Sequence, residues 1–125
     1  MYDFTHGDLM ITGDHDVKGV LRLFWRGKSS ARNPSAILEG HFQEILDAAS
    51  TDSLALEMHF EEIQHFNSST ITALIHFIQR LPAVGVKLTI YHDPALKWQK
   101  LSFDALRLFE KADGLLHIGE ARGAA

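Results

Sequence analysis

The stretch Glu57-Met58-His59-Phe60-Glu61-Glu62-Ile63-Gln64-His65-Phe66-Asn67-Ser68-Ser69-Thr70-Ile71-Thr72-Ala73-Leu74 changes its hydrophobic period midway, and that change decides the fold. Upstream, Leu54-Ala55-Leu56-Glu57-Met58-His59-Phe60 alternates large apolar residues with smaller or polar ones, the period of two of a strand with one better-buried face. Downstream, Ile71, Leu74, Ile75 and Ile78 recur at helical spacing, and the helix is expected to fade at Pro82 and Gly85. Between the two, Asn67-Ser68-Ser69-Thr70 places four small amide or hydroxyl side chains where a strand and its loop feed a helix. Such side chains accept hydrogen bonds from the free N–H groups of a first helical turn, so Asn67 or Ser68 is expected to cap the helix.

Working outward, Leu9-Met10-Ile11 and Val20-Leu21-Arg22-Leu23-Phe24-Trp25 are strand-length apolar runs around the turn formers Gly13-Asp14-His15-Asp16, which predicts an N-terminal hairpin. Asn33-Pro34 then opens a helix, because asparagine caps well and proline's missing N–H has no helical partner at the first position. Leu38, Phe42, Ile45, Leu46 and Ala49 give that helix one apolar face until Ser50-Thr51-Asp52-Ser53 stops it. Lys87-Leu88-Thr89-Ile90-Tyr91 is strand-like, and Asp93-Pro94 repeats the cap-plus-proline start. Trp98, Leu101, Ala105, Leu108 and Phe109 are expected along the buried face of the last helix, with a break at Ser102-Phe103 and an end at Asp113-Gly114 before a final run, Leu115 to Ile118.

The order is therefore β-β-α-β-α-β-α-β, an α/β fold with one mixed β-sheet and packed helices. At 125 residues the chain is one domain's worth, expected to span residues 1–118 with a flexible C-terminal tail over 119–125. With no cysteine, disulfides, thiolate zinc sites and cysteine nucleophiles are excluded. The formal charge of −4 and the lack of a basic stripe argue against nucleic acid. No apolar run approaches the ~20 residues of a membrane helix, so no membrane association and a cytoplasmic location are expected.

Three features look like chemistry and are read as structure. Gly27-Lys28-Ser29 is like the end of a phosphate-binding loop, but Arg22 stands where that motif needs glycine. Eight histidines invite a metal, yet His59 and His65 straddle a strand end and no His-Glu-x-x-His pairing occurs. Ser69 lacks the Gly-x-Ser-x-Gly elbow of a hydrolytic nucleophile. No catalytic residue, metal or cofactor is expected.

The quoted stretch resembles the central motif of STAS domains, the anti-sigma-factor antagonist superfamily, in which a strand ends in a loop of the form Asp-Ser-Ser-Gly-Leu followed by a helix. Val84-Gly85-Val86-Lys87-Leu88-Thr89-Ile90 and Asp93-Pro94 match the glycine turn, strand and proline dipeptide that follow, so the resemblance covers roughly residues 20 to 110. It implies a single-domain STAS-like fold and a non-enzymatic module that binds a protein partner. Asn67 stands for the usual aspartate and Thr70 for the usual glycine, and Ser102-Phe103-Asp104 replaces a Thr-Gly-Leu turn, which marks a divergent member.

By the same resemblance Ser69 is the phosphoacceptor, with Ser68 the second choice, and Asn67, Ser68, Ser69 and Thr70 form the partner-binding surface. The implied partners are a serine-kinase/anti-sigma-type ATPase, which binds the unmodified form, and a PP2C-type phosphatase, which resets it in a bacterial partner-switching pathway. Two other functions fit the residues. One is a scaffold without phosphorylation that docks constitutively or self-associates, and the other is a small-molecule carrier with a pocket near Phe66, Trp98 and Phe103. The sequence leaves the oligomeric state open.

Overall fold

The computed structural model describes residues 2–110 and 114–120. Its elements are β1 (Phe4–His6), β2 (Leu9–Asp14), β3 (Val20–Ser29), α1 (Pro34–Asp52), β4 (Ala55–Phe66), α2 (Ser68–Gln79), the one-turn α3 (Leu81–Val84), β5 (Leu88–His92), α4 (Lys97–Leu106) with a 3₁₀ turn over Arg107–Phe109, and β6 (Leu116–Glu120). The six strands form one sheet in sequential order, antiparallel from β1 to β3 and parallel from β3 to β6. This is the expected mixed α/β sheet, extended by two elements that the sequence pattern did not reveal, β1 and α3.

The alternation read from the sequence sets the two faces of the sheet. Leu21, Leu23 and Trp25 of β3, Leu56, Met58 and Phe60 of β4, and Leu88 and Ile90 of β5 are buried together. The helices pack on this face, with Phe42 of α1 touching both Trp25 and Phe77 of α2, and Phe103 of α4 seated on Phe60 and Phe66. Arg22, Phe24, Glu57, His59 and Tyr91 point the other way, onto a face that the helices leave uncovered. Phe24, His59 and Tyr91 stack across the three strands there, with ring centroids 4.6 and 4.9 Å apart.

Helix α1 begins at Pro34 with the Asn33 side chain accepting from Ala36 N–H, and ends where Ser53 takes a left-handed conformation. Strand β4 runs on to Phe66, six residues past the expected Phe60, because Glu61, Glu62, Gln64 and His65 keep to solvent-accessible positions while Ile63 and Phe66 stay buried. Gly27 belongs to β3 rather than to a phosphate loop. Its φ is +85° and a Cβ there would lie 1.9 Å from the Asp8 carbonyl oxygen, so the tight β2–β3 pairing explains this glycine.

The last helix departs most from expectation. It starts at Lys97 instead of Asp93-Pro94, since the Asp93 carboxylate caps a turn at Ala95 N–H. It buries Gln99, Phe103 and Leu106, while Leu101 and Leu108 are 65% and 85% exposed. Residues 98, 101, 105 and 108 and residues 99, 103 and 106 are rival stripes of one helix. The second wins because Phe103 fits among Phe60, Phe66 and His92, and the Gln99 amide donates to the carbonyls of Phe60 and Ile63 at 2.8 and 3.1 Å. Ser102-Phe103 is helical, not a break. Strand β6 continues to Glu120, two residues beyond the expected end of the domain at Ile118; Asp113 and residues 121–125 lie outside the described residues.

Candidate functional site

Strands β3 and β4 are parallel neighbours, and their last residues, Ser29 and Phe66, are in register. The chain leaving β4 therefore turns into α2 directly beside the chain leaving β3 for α1. Asn67 makes that turn. Its backbone N–H donates to the Ser29 carbonyl at 3.1 Å, and its side-chain oxygen accepts from the Thr70 N–H at 2.9 Å, so of the two expected caps, Asn67 or Ser68, it is Asn67 that caps α2. The same oxygen accepts from the Thr70 hydroxyl at 2.8 Å, and the amide nitrogen donates to the Ala31 carbonyl at 2.9 Å.

Thr70 is fully buried. Its Oγ1 lies 2.7 Å from the Ser29 Oγ, itself only 3% exposed. With the Thr70 proton on Asn67 Oδ1 and the Ser29 proton on Thr70 Oγ1, every hydroxyl in this cluster is satisfied. Asn67 and Thr70 are the two positions where the sequence departs from the Asp-Ser-Ser-Gly pattern. The structure joins the two departures in one network: an aspartate would lack the N–H that holds Ala31, and a glycine would lack the hydroxyl that meets Ser29.

Ser68 and Ser69 differ from their neighbours. Both are exposed at the first two positions of α2, between the buried side chains of Phe66 and Thr70. No acidic residue occupies the first turn of α1 or α2, so neither helix carries a countercharge of its own at its positive end. The β3–α1 loop beside them carries exposed Arg32, and Lys28 is exposed near the end of β3. An open cleft of about 240 Å³ adjoins this loop, lined by Leu9, Lys28, Ser30, Ala31, Pro34 and Ile37 among others. The four expected partner-surface residues are thus one cluster with divided roles. Ser68 and Ser69 are presented outward, while Asn67 and Thr70 anchor them.

Ser29 and Ala31 were not singled out by sequence reasoning. They stand 41 and 36 residues from their partners Thr70 and Asn67, and no local pattern reports such a pairing. Neither of the two histidines singled out from the sequence joins the site. His59 lies on the open face between Glu57 and Glu61, and the ring nearest to His65 is that of Trp98 at 6.5 Å. Among the described residues no group of three His, Asp or Glu side chains is disposed to hold a metal. Phe66 and Phe103, expected beside a carrier pocket, are buried against one another at 5.6 Å, with Trp98 edge-on to Phe66 at 5.2 Å. Among the described residues no helix is long and apolar enough to cross a membrane.

No protein-family model and no curated protein matches the sequence. Solved structures do match. A chain from the complex of the diguanylate cyclase SiaD with its activator SiaC from Pseudomonas aeruginosa aligns over 95% of this chain and 98% of its own length, at 20% identity and a TM-score of 0.61. The phosphorylated form of the Bacillus cell-fate determinant SpoIIAA aligns over 90% of this chain and 92% of its own, at 12% identity and a TM-score of 0.55. An anti-sigma factor antagonist from Mycobacterium paratuberculosis aligns over 91% and 90%, at 14% identity and a TM-score of 0.56. The fold is the STAS-like fold of the anti-sigma factor antagonists, in a single domain.

Proposed function

We propose that this chain is a non-enzymatic regulatory module that binds a protein partner through the N-terminus of α2 and is switched by phosphorylation there, at Ser69 or, as second choice, Ser68. The observation that carries this reading is the exposure of these two hydroxyls at a helix start whose other polar side chains, Asn67 and Thr70, are engaged in hydrogen bonds. The likeness to an anti-sigma factor antagonist, to a protein solved in its phosphorylated form and to a complex of an enzyme with its activator supports a role in signalling through protein contacts.

The physics of the switch is local. A phosphate adds roughly −1.5 to −2 charge at pH 7, and the free N–H groups and dipole of α2 stabilise that charge where it is attached. The fold is kept while the surface changes sign. A partner that desolvates the unmodified serines then meets an unpaired charge, which costs several kcal/mol, and each ~1.4 kcal/mol is tenfold in affinity. The partners this reading requires are a serine-kinase/anti-sigma-type ATPase and a PP2C-type phosphatase, in the cytoplasm of a bacterium.

Intact mass and peptide mapping of the protein from its native host, with phosphatase inhibitors present, test the switch. The expected result is a gain of about 80 Da, one phosphate, on the peptide holding Ser69. An unmodified chain under all growth conditions overturns it and favours a constitutive scaffold. With the cognate ATPase, Ser69→Ala is expected to stay bound and Ser69→Asp to bind at least about tenfold more weakly. Equal affinities exclude the charge mechanism.

A further inference from the structure

The hydrogen bonds around Asn67 do more than cap a helix: besides those from the Thr70 and Ile71 N–H groups in the first turn of α2, they reach Ser29 at the end of β3 and Ala31 in the chain that connects β3 to α1. Asn67 N–H and the Thr70 hydroxyl meet Ser29, and Asn67 Nδ2 meets Ala31. The planar Asn67 amide is engaged at both ends, its oxygen accepting twice and its nitrogen donating to a carbonyl. It cannot yield at one end without changing the other.

We propose that the α2 N-terminus and the β3–α1 loop form one two-part switch surface, with Asn67, held by Thr70, as the positioning residue that couples them. This rests on the reading of Ser68 and Ser69 as the regulated hydroxyls and names where their charge is felt. A negative charge on Ser69 competes with Asn67 Oδ1 for the first-turn N–H groups of α2, among them that of Thr70. As Thr70 N–H turns to the new charge, the Asn67 amide loses one of its two donors and its hold on the Ala31 carbonyl changes with it. Ser30, Ala31 and Arg32 respond, and with them the 240 Å³ cleft between the loop, β2 and α1. Buried hydroxyl chains suit such transmission, since each bond polarises the next and neither Thr70 nor Ser29 has solvent as an alternative partner.

The coupling belongs to this sequence rather than to the Asp-Ser-Ser-Gly form of the loop, which has neither the amide donor nor the hydroxyl. Backbone amide spectra of the ¹⁵N-labelled full chain test it. In the parent, Ser69→Asp is expected to shift the amides of Ser30, Ala31, Arg32 and Ile37 as well as those of Ile71 and Thr72. In Asn67→Asp, which keeps the capping oxygen but has no amide N–H for Ala31, and in Asn67→Asp combined with Thr70→Gly, the shifts at Ile71 and Thr72 persist and those of the loop are lost. Where Asn67→Asp does not fold, Asn67→Ser keeps a capping oxygen and cuts the same tie.

Loop amides that stay still in the parent, or that move equally in all backgrounds, overturn the proposal. The result is separable from the phosphorylation reading. An unmodified protein from the host refutes phosphorylation and leaves the response to Ser69→Asp intact, whereas a phosphorylated protein with a silent loop refutes the coupling alone.

Discussion

The two faces of the sheet treat the same side chain in opposite ways. On the helix-covered face His41 and His92 are buried, at 7% and 0% exposure. Nε2 of His41 and both ring nitrogens of His92 have no hydrogen-bond partner among the described residues. Burial pushes both pKa values down, that of His41 to about 4, with Asp3 opposing only weakly. On the open face His59 lies between the rings of Phe24 and Tyr91, its nitrogens 3.1 and 3.3 Å from Glu57 and Glu61. Burial pulls its pKa down as well, but the hydrogen bonds to Glu61 and Glu57 outweigh it and the net shift is upward. An imidazole can donate to two carboxylates only when doubly protonated, so the open face shifts its histidine toward the cation and the covered face shifts its two toward the neutral ring.

The largest effect that sharpens this contrast is on packing. Phe60, fully buried between Trp25 and Phe103, is expected to cost roughly 3–5 kcal/mol when truncated to alanine, whereas Phe24→Ala on the open face is expected to cost about 1 kcal/mol. Urea unfolding of both variants checks this, and equal costs mean that the open face is covered in solution, for instance by a second copy.

Next comes the response to acid. His41 titrates near its ordinary 6.5 when unfolded and at about 4 when folded, so the unfolded chain binds more protons between those values. Its share of stability is present above pH 6.5 and is lost as pH falls toward 4, about 2 kcal/mol after allowance for solvent screening. His92 acts in the same direction. In His41→Phe the loss of stability over this window is expected to shrink, as measured by melting between pH 4 and 7.

The smallest effect is on the open face and has the opposite sign. His59, raised on folding, adds stability that is complete below pH 6.5 and lost as pH rises through its folded value. Glu61→Gln keeps an acceptor oxygen but removes its negative charge, and is expected to lower the His59 pKa, with less than about 1 kcal/mol lost near pH 7. NMR titration of the His59 ring reads it. An unchanged titration would show that stacking, not the carboxylate, holds the proton.

Much of the candidate site is legible in the sequence. A cap at Asn67 or Ser68, and serines at the start of a helix after a strand, follow from side-chain chemistry read over four consecutive residues; the choice of Asn67 does not. Thr70 was legible only as a member of that run. Its burial and its bond to Ser29 follow from β3 and β4 lying parallel and in register, which brings together residues 41 apart in sequence. In α4 two apolar stripes compete on one helix, and leucines at 101 and 108 made the wrong one look better.

Readable from local residues were the alternation of strands and helices, the starts at Asn33-Pro34 and at Asn67 or Ser68, and the side of β4 that faces the core. These are signals of capping and periodicity, carried by residues within about one helical turn of each other. Packing settled which side of α4 is buried, which histidines have their pKa pushed down and which up, and that Asn67 and Thr70 share one network with Ser29 and Ala31. Those outcomes depend on which distant groups exclude water from a side chain and which supply its missing hydrogen bonds, and that is set by packing across the sheet.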